Sequence, residues 1–184
     1  MIKYIIAIFI SAVISYLLGS CNSSIITVKL LKGEDIRKFG SGNAGLTNTL
    51  RCFGKLPALF TLIGDLLKGV IAVFICKFIC TLLDAGIGLD GDIRYIGYIA
   101  GLFAVIGHIF PVYYGFKGGK GVLVGVSVFL VIDPAVFGIL IFIFAVTLIL
   151  THYVSVSSIT ASVCCPIVTF LMRYFIEGIS IEIS

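Results

Sequence analysis

From its amino terminus the chain alternates long apolar runs with short polar breaks. The first run, residues 3–20, is interrupted only by the small polar side chains Ser11 and Ser15. It is long enough for a helix to cross a bilayer core, which takes roughly 20 residues. A polar stretch at 21–55 follows, then a second run at 56–83 broken by GDLLKG at 64–69, and a third at 93–110. The fourth, 122–132, is short for a full crossing. The fifth, 134–150, opens on Asp133-Pro134, a turn signal with proline in the position that starts a helix well. The sixth, 159–176, contains Pro166. No strand-like alternation of the membrane-barrel type interrupts this pattern. It predicts an all-α, polytopic membrane bundle of about six spans in a single domain.

Charge orients the bundle. The 21–55 stretch carries Lys29, Lys32, Arg37, Lys38, Arg51 and Lys55 against Glu34 and Asp35 alone. By the positive-inside rule it faces the cytoplasm, which puts Met1 outside. The break after the second run holds Asp84, Asp90 and Asp92 with Arg94, lacks the basic excess and fits the outer face. The third run then returns inward and delivers the stretch GHIFPVYYGFKGGKGV, residues 107–122, to the same side as the first loop. The fifth run also ends inside, at THYVSVSS, residues 151–158.

Composition sharpens the class. With 60% hydrophobic and 12% charged residues and a mean hydropathy of +1.21, the chain lies far outside the soluble globular range. A net charge of +4 spread over membrane flanks and two loops has no nucleic-acid signature. The six cysteines show no C-x-x-C spacing and read as small apolar fillers. LGSC at 18–21 has the look of a lipoprotein cleavage box, but the apolar runs beyond it are integral membrane sequence.

The chemistry concentrates in the loops. Gly115, Gly118, Gly119 and Gly121 let backbone amides approach an anion, Lys117 and Lys120 add positive charge, and a helix expected from Val122 would turn its N-terminus to the same spot. The alternative is a plain glycine turn whose lysines mark the cytoplasmic side. The Walker spacing fails, because Gly121 and no hydroxyl follows Lys120. In the first loop, Ser41, Asn43, Thr47, Asn48 and Arg51 supply hydrogen-bond groups and a guanidinium suited to phosphate, or else the caps of an ordinary polar loop. Asp65 and Lys68 share a helix face, as a structural ion pair or as part of a site. His108 adjoins the glycine stretch as a packing residue or a proton-handling group. Ser155 and Ser157 are helix caps or ligand contacts. Neither a G-x-S-x-G elbow nor a carboxylate set for a metal is present, so the cationic, amide-rich loops suit a phosphorylated substrate. A transporter or binding protein for small phosphorylated anions would use the same groups without chemistry.

GSGNAGLTNTLR at 40–51, GDLLKG at 64–69, GHIFPVYYGFKGGKGV at 107–122 and HYVSVSSI at 152–159 resemble, in order and separation, recurrent motifs of the bacterial acyl-phosphate:glycerol-3-phosphate acyltransferase family. The resemblance implies transfer of a fatty acyl group from acyl phosphate to the 1-hydroxyl of glycerol 3-phosphate, giving lysophosphatidic acid and phosphate, without metal or cofactor, in the bacterial inner membrane. It implies catalytic roles for Ser41, Arg51, Lys120 and His108. Substrate contacts would come from Asn43, Thr47, Asn48, Asp65, Lys68, Gly118, Gly119, Gly121 and Ser155. Its implied partners are the two substrates, the bilayer and the soluble enzyme that makes acyl phosphate, with no nucleic acid. His152 stands where the family usually has Arg, and Leu46 where it has Ala. The chain is expected to lack the family's seventh helix and C-terminal tail.

Overall fold

The computed structural model describes residues 2–83 and 93–176, and all the regular secondary structure within them is helical. The acidic stretch 84–92 and the tail 177–184 lie outside the described residues, so the expected outer loop is not described. The chain divides into two compact units, Met1–Ile132 and Asp133–Ser184.

The first unit contains α1 (Ile2–Ser20), α2 (Ser23–Lys32), a 3-10 turn (Ile36–Lys38), α3 (Leu46–Phe53), α4 (Lys55–Leu82), α5 (Ile93–Ile109), a second 3-10 turn (Val112–Tyr114) and α6 (Val122–Ile132). Helix α1 packs against α4 and α5, and α6 against the same two. Small residues let these helices close up. On α1 the buried stripe Ala7, Ser11, Ser15, Gly19 recurs every fourth residue. A Cβ on Gly19 would strike the backbone of Ala104, and one on Gly107 the backbone of Tyr16 and Ser20. Gly97 and Gly101 leave room for Ile132 and Val128 of α6. This is the packing logic of membrane helices, where lipid offers no hydrophobic drive toward association and close approach supplies the attraction. Apolar residues accordingly face outward: Phe9, Phe78 and Leu102 are all more than half exposed.

The polar stretch expected as one loop is largely helical. Asn22 ends the α1 run and caps α2, its side chain accepting from the Ile25 amide at 3.1 Å. Gly33 closes α2 in a left-handed cap, with φ 71°. Helix α4 spans 28 residues, or about 42 Å at 1.5 Å per residue, more than a bilayer core needs.

The second unit is a helical hairpin, α7 (Pro134–Thr151) and α8 (Val154–Ile176). Asp133 caps α7 by accepting from the Val136 amide at 3.1 Å, and Pro134 takes the expected first position. The turn is tighter than the expected 151–158 loop. His152 adopts a left-handed conformation, φ 58°, and its amide closes α7 on Leu148 O at 2.8 Å. Helix α8 then begins at Val154, so Ser155 and Ser157 belong to its first turn.

Among the described residues, five helical stretches are long and apolar enough to cross a membrane, and α6, at 11 residues, is a shorter apolar helix. The bundle is therefore a multi-pass membrane architecture.

Candidate functional site

Three helix ends converge in the first unit. Helix α1 stops at Ser20, and its last carbonyls lack intrahelical partners. Lys68 of α4 fills that role: its Nζ lies 3.2 Å from both Gly19 O and Cys21 O. The same ammonium sits 2.8 Å from His108 Nδ1 and 3.0 Å from Asp65 Oδ1. All three side chains are at most 7% exposed. An ammonium has three hydrogens for these four neighbours. Asp65 Oδ1 is the one met by charge rather than by an aligned hydrogen bond. Because an ammonium only donates, His108 Nδ1 must present a lone pair, and the ring proton is assigned to Nε2.

The glycine stretch folds back over that nitrogen. Helix α5 ends at Ile109, and its orphan carbonyls are taken by the chain that follows. Gly119 N donates to His108 O and Gly118 N to Ile109 O, both at 3.1 Å, while Phe116 N and Tyr114 N close on Pro111 O. The reversal needs left-handed backbone at Gly115 and Phe116, φ 64° and 60°. Gly119 is sterically obligatory, since a Cβ there would collide with His108 Nε2 and Ala44 O. Gly118 likewise has the backbone of His108 and Ile109 against it. The amides of Gly118 and Gly119, expected to face an anion, are thus turned inward to cap α5. Glycine composition reveals the freedom to turn but not its direction. Gly121 O accepts the first bond of α6 from Gly125 N at 2.9 Å, so the stretch does lead into a helix N-terminus.

The first loop is tied to this fold-back. Ala44 N approaches Gly118 O at 3.5 Å, and Asn22 Nδ2 donates to Ala44 O at 3.3 Å. Asn48, expected to contact substrate, is buried and spends its amide on the loop itself. Its oxygen accepts from Ser41 N at 3.1 Å, and its nitrogen donates to Phe39 O and Asn43 O. Ser24 and Thr49 share a buried hydrogen bond of 2.7 Å between α2 and α3. Ser41, Thr47, Arg51, Lys117 and Lys120 remain exposed, and Asn43 is half-buried.

A family model for glycerol-3-phosphate acyltransferase matches residues 9–183. The chain belongs to that family. The glycerol-3-phosphate acyltransferase of Staphylococcus saprophyticus is 42% identical over 172 residues, covering 92% of this chain and 82% of that protein. The one from Clostridioides difficile is 39% identical over 169 residues, covering 92% and 80%. Among solved structures, PlsY (YgiH), an integral membrane glycerol 3-phosphate acyltransferase, superposes in its glycerol 3-phosphate form with a TM-score of 0.76 at 33% identity, over 93% of this chain and 80% of that one. Its lysophosphatidic acid form gives 0.72 at 30% identity, over 91% and 77%.

Within this family member, most of the residues expected from sequence fall into three groups. Asp65, Lys68 and His108 form a buried triad; Ser41, Thr47, Arg51 and Lys120 are exposed; Asn48, Gly118 and Gly119 hold the loops in shape. Ser155 stands exposed on α8 in the second unit. Sequence reasoning missed Asn22 and Arg37. The signal for Asn22 was present, an Asn directly before Ser23-Ser24 and an apolar run, as a helix cap requires.

Proposed function

We propose that this chain transfers a fatty acyl group from acyl phosphate to the 1-hydroxyl of glycerol 3-phosphate, releasing lysophosphatidic acid and inorganic phosphate at the cytoplasmic face of the bacterial inner membrane. Family membership supports the reaction class. The observation that carries the site is the junction at Ala44 and Gly118, where the first loop meets the glycine fold-back above the Lys68–His108 contact.

Acyl phosphate is a mixed anhydride with a good leaving group, so the demand on the protein is positioning and charge. The glycerol hydroxyl oxygen attacks the acyl carbon, the bond from that carbon to the phosphate oxygen breaks, and the hydroxyl proton passes to the departing phosphate. In this reading Ser41, Asn43, Thr47 and Arg51 hold the acyl phosphate and Lys120 neutralises the acceptor's phosphate. His108 serves as a fixed Nε2–H donor instead of a base, because Lys68 occupies the lone pair on its other nitrogen. The acyl chain lies between helices, entered from the lipid. The soluble enzyme that makes acyl phosphate supplies the donor.

The test is reconstitution in liposomes with acyl phosphate and glycerol 3-phosphate, following ester and phosphate together. Equal amounts of lysophosphatidic acid and phosphate are expected. Arg51→Ala and Lys120→Ala should each lower kcat/KM at least tenfold, about 1.4 kcal/mol of transition-state stabilisation. Uptake of glycerol 3-phosphate with no ester formed would overturn the proposal.

A further inference from the structure

We infer that Arg37, held by Asp35, is a positioning residue that clamps the glycine fold-back to the first loop and so fixes the spacing between the two halves of the site. The inference rests on the reading above that the site lies between these loops.

The guanidinium is committed almost entirely to protein groups. Nε contacts both Asp35 oxygens at 3.0 and 3.1 Å, and Nη2 donates to Asp35 Oδ2 at 2.7 Å. Nη1 donates to Tyr114 O at 2.7 Å and to Lys117 O at 3.3 Å. Of the five N–H groups of an arginine, four are therefore directed at named acceptors. The two carbonyls bracket Gly115 and Phe116, the left-handed pair where the chain reverses. A non-glycine residue in that conformation costs roughly 1–2 kcal/mol, and the Nη1 bonds on either side offset it. Asp35 is fixed in turn by the Arg37 amide at 3.0 Å, and a Cβ on Gly42 would sit 3.3 Å from Arg37 O. The carboxylate, acceptor-paired on one side, neutralises the guanidinium beside an anion-binding face. Arg37 is thereby withdrawn from the phosphate chemistry left to Arg51 and Lys120. By comparison, the direct backbone contact between the loops, Ala44 to Gly118, is long.

A lysine cannot replace this arrangement, because one ammonium cannot hold a carboxylate in a fork and two diverging carbonyls together. Three variants of the full chain, Arg37→Lys, Arg37→Gln and Asp35→Asn, are purified in detergent and compared by size exclusion, kinetics and hydrogen exchange. The peptide covering residues 110–121 contains the Phe116, Gly118 and Gly119 amides whose bonds depend on the clamp. Its exchange should rise at least tenfold in Arg37→Lys and Arg37→Gln alike. In both, KM for glycerol 3-phosphate should rise and kcat fall, with kcat/KM down at least tenfold. A general folding defect would instead lower kcat through lost active enzyme and leave KM unchanged, which would overturn the inference.

Asp35→Asn keeps the cap on the Arg37 amide but frees the guanidinium, and so separates the two roles an arginine here can have. A clamp predicts a higher KM for glycerol 3-phosphate in this variant. A lower KM would mean that Arg37 is a phosphate ligand and would overturn the clamp, as would unchanged exchange of the 110–121 peptide in the Arg37 variants. If the wild-type chain makes no ester yet the exchange pattern follows Arg37, the clamp stands and only the proposed reaction falls.

Discussion

Removing Lys68 should damage the fold more than removing its carboxylate partner. In Asp65→Asn the ammonium keeps three acceptors, Gly19 O, Cys21 O and His108 Nδ1, one for each hydrogen. The ammonium loses its counter-charge at 3.0 Å but keeps those bonds, which puts the loss at or below the lower end of the about 3–5 kcal/mol for a broken buried pair. Lys68→Met keeps the volume but leaves three acceptors without a donor and the Asp65 carboxylate, 2% exposed, without a counter-charge. Breaking a buried pair in that direction costs about 3–5 kcal/mol, and the orphaned ends of α1 put this case at the upper end. Unfolding in mixed micelles, titrated with a denaturing detergent and followed by far-ultraviolet circular dichroism, measures both. The double variant Asp65→Asn/Lys68→Met should lie closer to Lys68→Met than to the sum of the two, since neither charge is then stranded. If Asp65→Asn proved as destabilising as Lys68→Met, the carboxylate rather than the helix-end carbonyls would be what holds the lysine, and the account of the triad would fail.

Other outcomes follow from single contacts. Gly119→Ala drives a methyl group into His108 Nε2 and Ala44 O and should lower kcat/KM more than tenfold in the ester-forming assay. Gly115→Ala, with open space but φ 64°, should cost only about 1 kcal/mol in the same unfolding titration. Gly19→Ala places a Cβ against the Ala104 backbone and should destabilise by about 1–3 kcal/mol, because two helices must part. The Arg37 hydrogen bond holds the Asp35 carboxyl below its usual 3.8. A depressed folded-state value gives stability that is complete above the unfolded value and lost as pH falls through the folded one. Thermal melts of the wild type should therefore drop more steeply than those of Asp35→Asn below about pH 4, and parallel curves would contradict the pairing.

The membrane class and the helical runs were legible because hydropathy and length decide them, and the ends of α5, α6 and α7 fell within a few residues of the apolar runs. Asp65 and Lys68 were readable as one helix face because their spacing is local. His108 as their third member was not, since it lies 40 residues from Lys68 and the contact depends on how α4 and α5 cross. Arg37 reaches carbonyls 77 and 80 residues away, and backbone acceptors leave no trace in side-chain identity. The 21–55 stretch concealed α2 because its lysines raise polarity while Ile25 and Val28 bury one face. Averaged hydropathy loses that distinction; period and caps preserve it.

These misses share a cause that bears on the chemistry. Glycines and cations in one short stretch suggested that amides and side chains together would meet a phosphate. The helix ends impose a prior claim: α1 and α5 both terminate here, and each leaves carbonyls that a membrane protein cannot expose to hydrocarbon. Lys68 meets those of α1, and the amides of Gly118 and Gly119 meet those of α5. Arg51, Lys117 and Lys120 stay exposed, while the amides of Gly118 and Gly119 are spent inward. In the proposed reading, an anion here meets side-chain cations over a floor whose helix-end amides are already committed. On that reading the rigidity of the floor, set by the triad and by Arg37, would decide how closely the two reacting molecules are brought together.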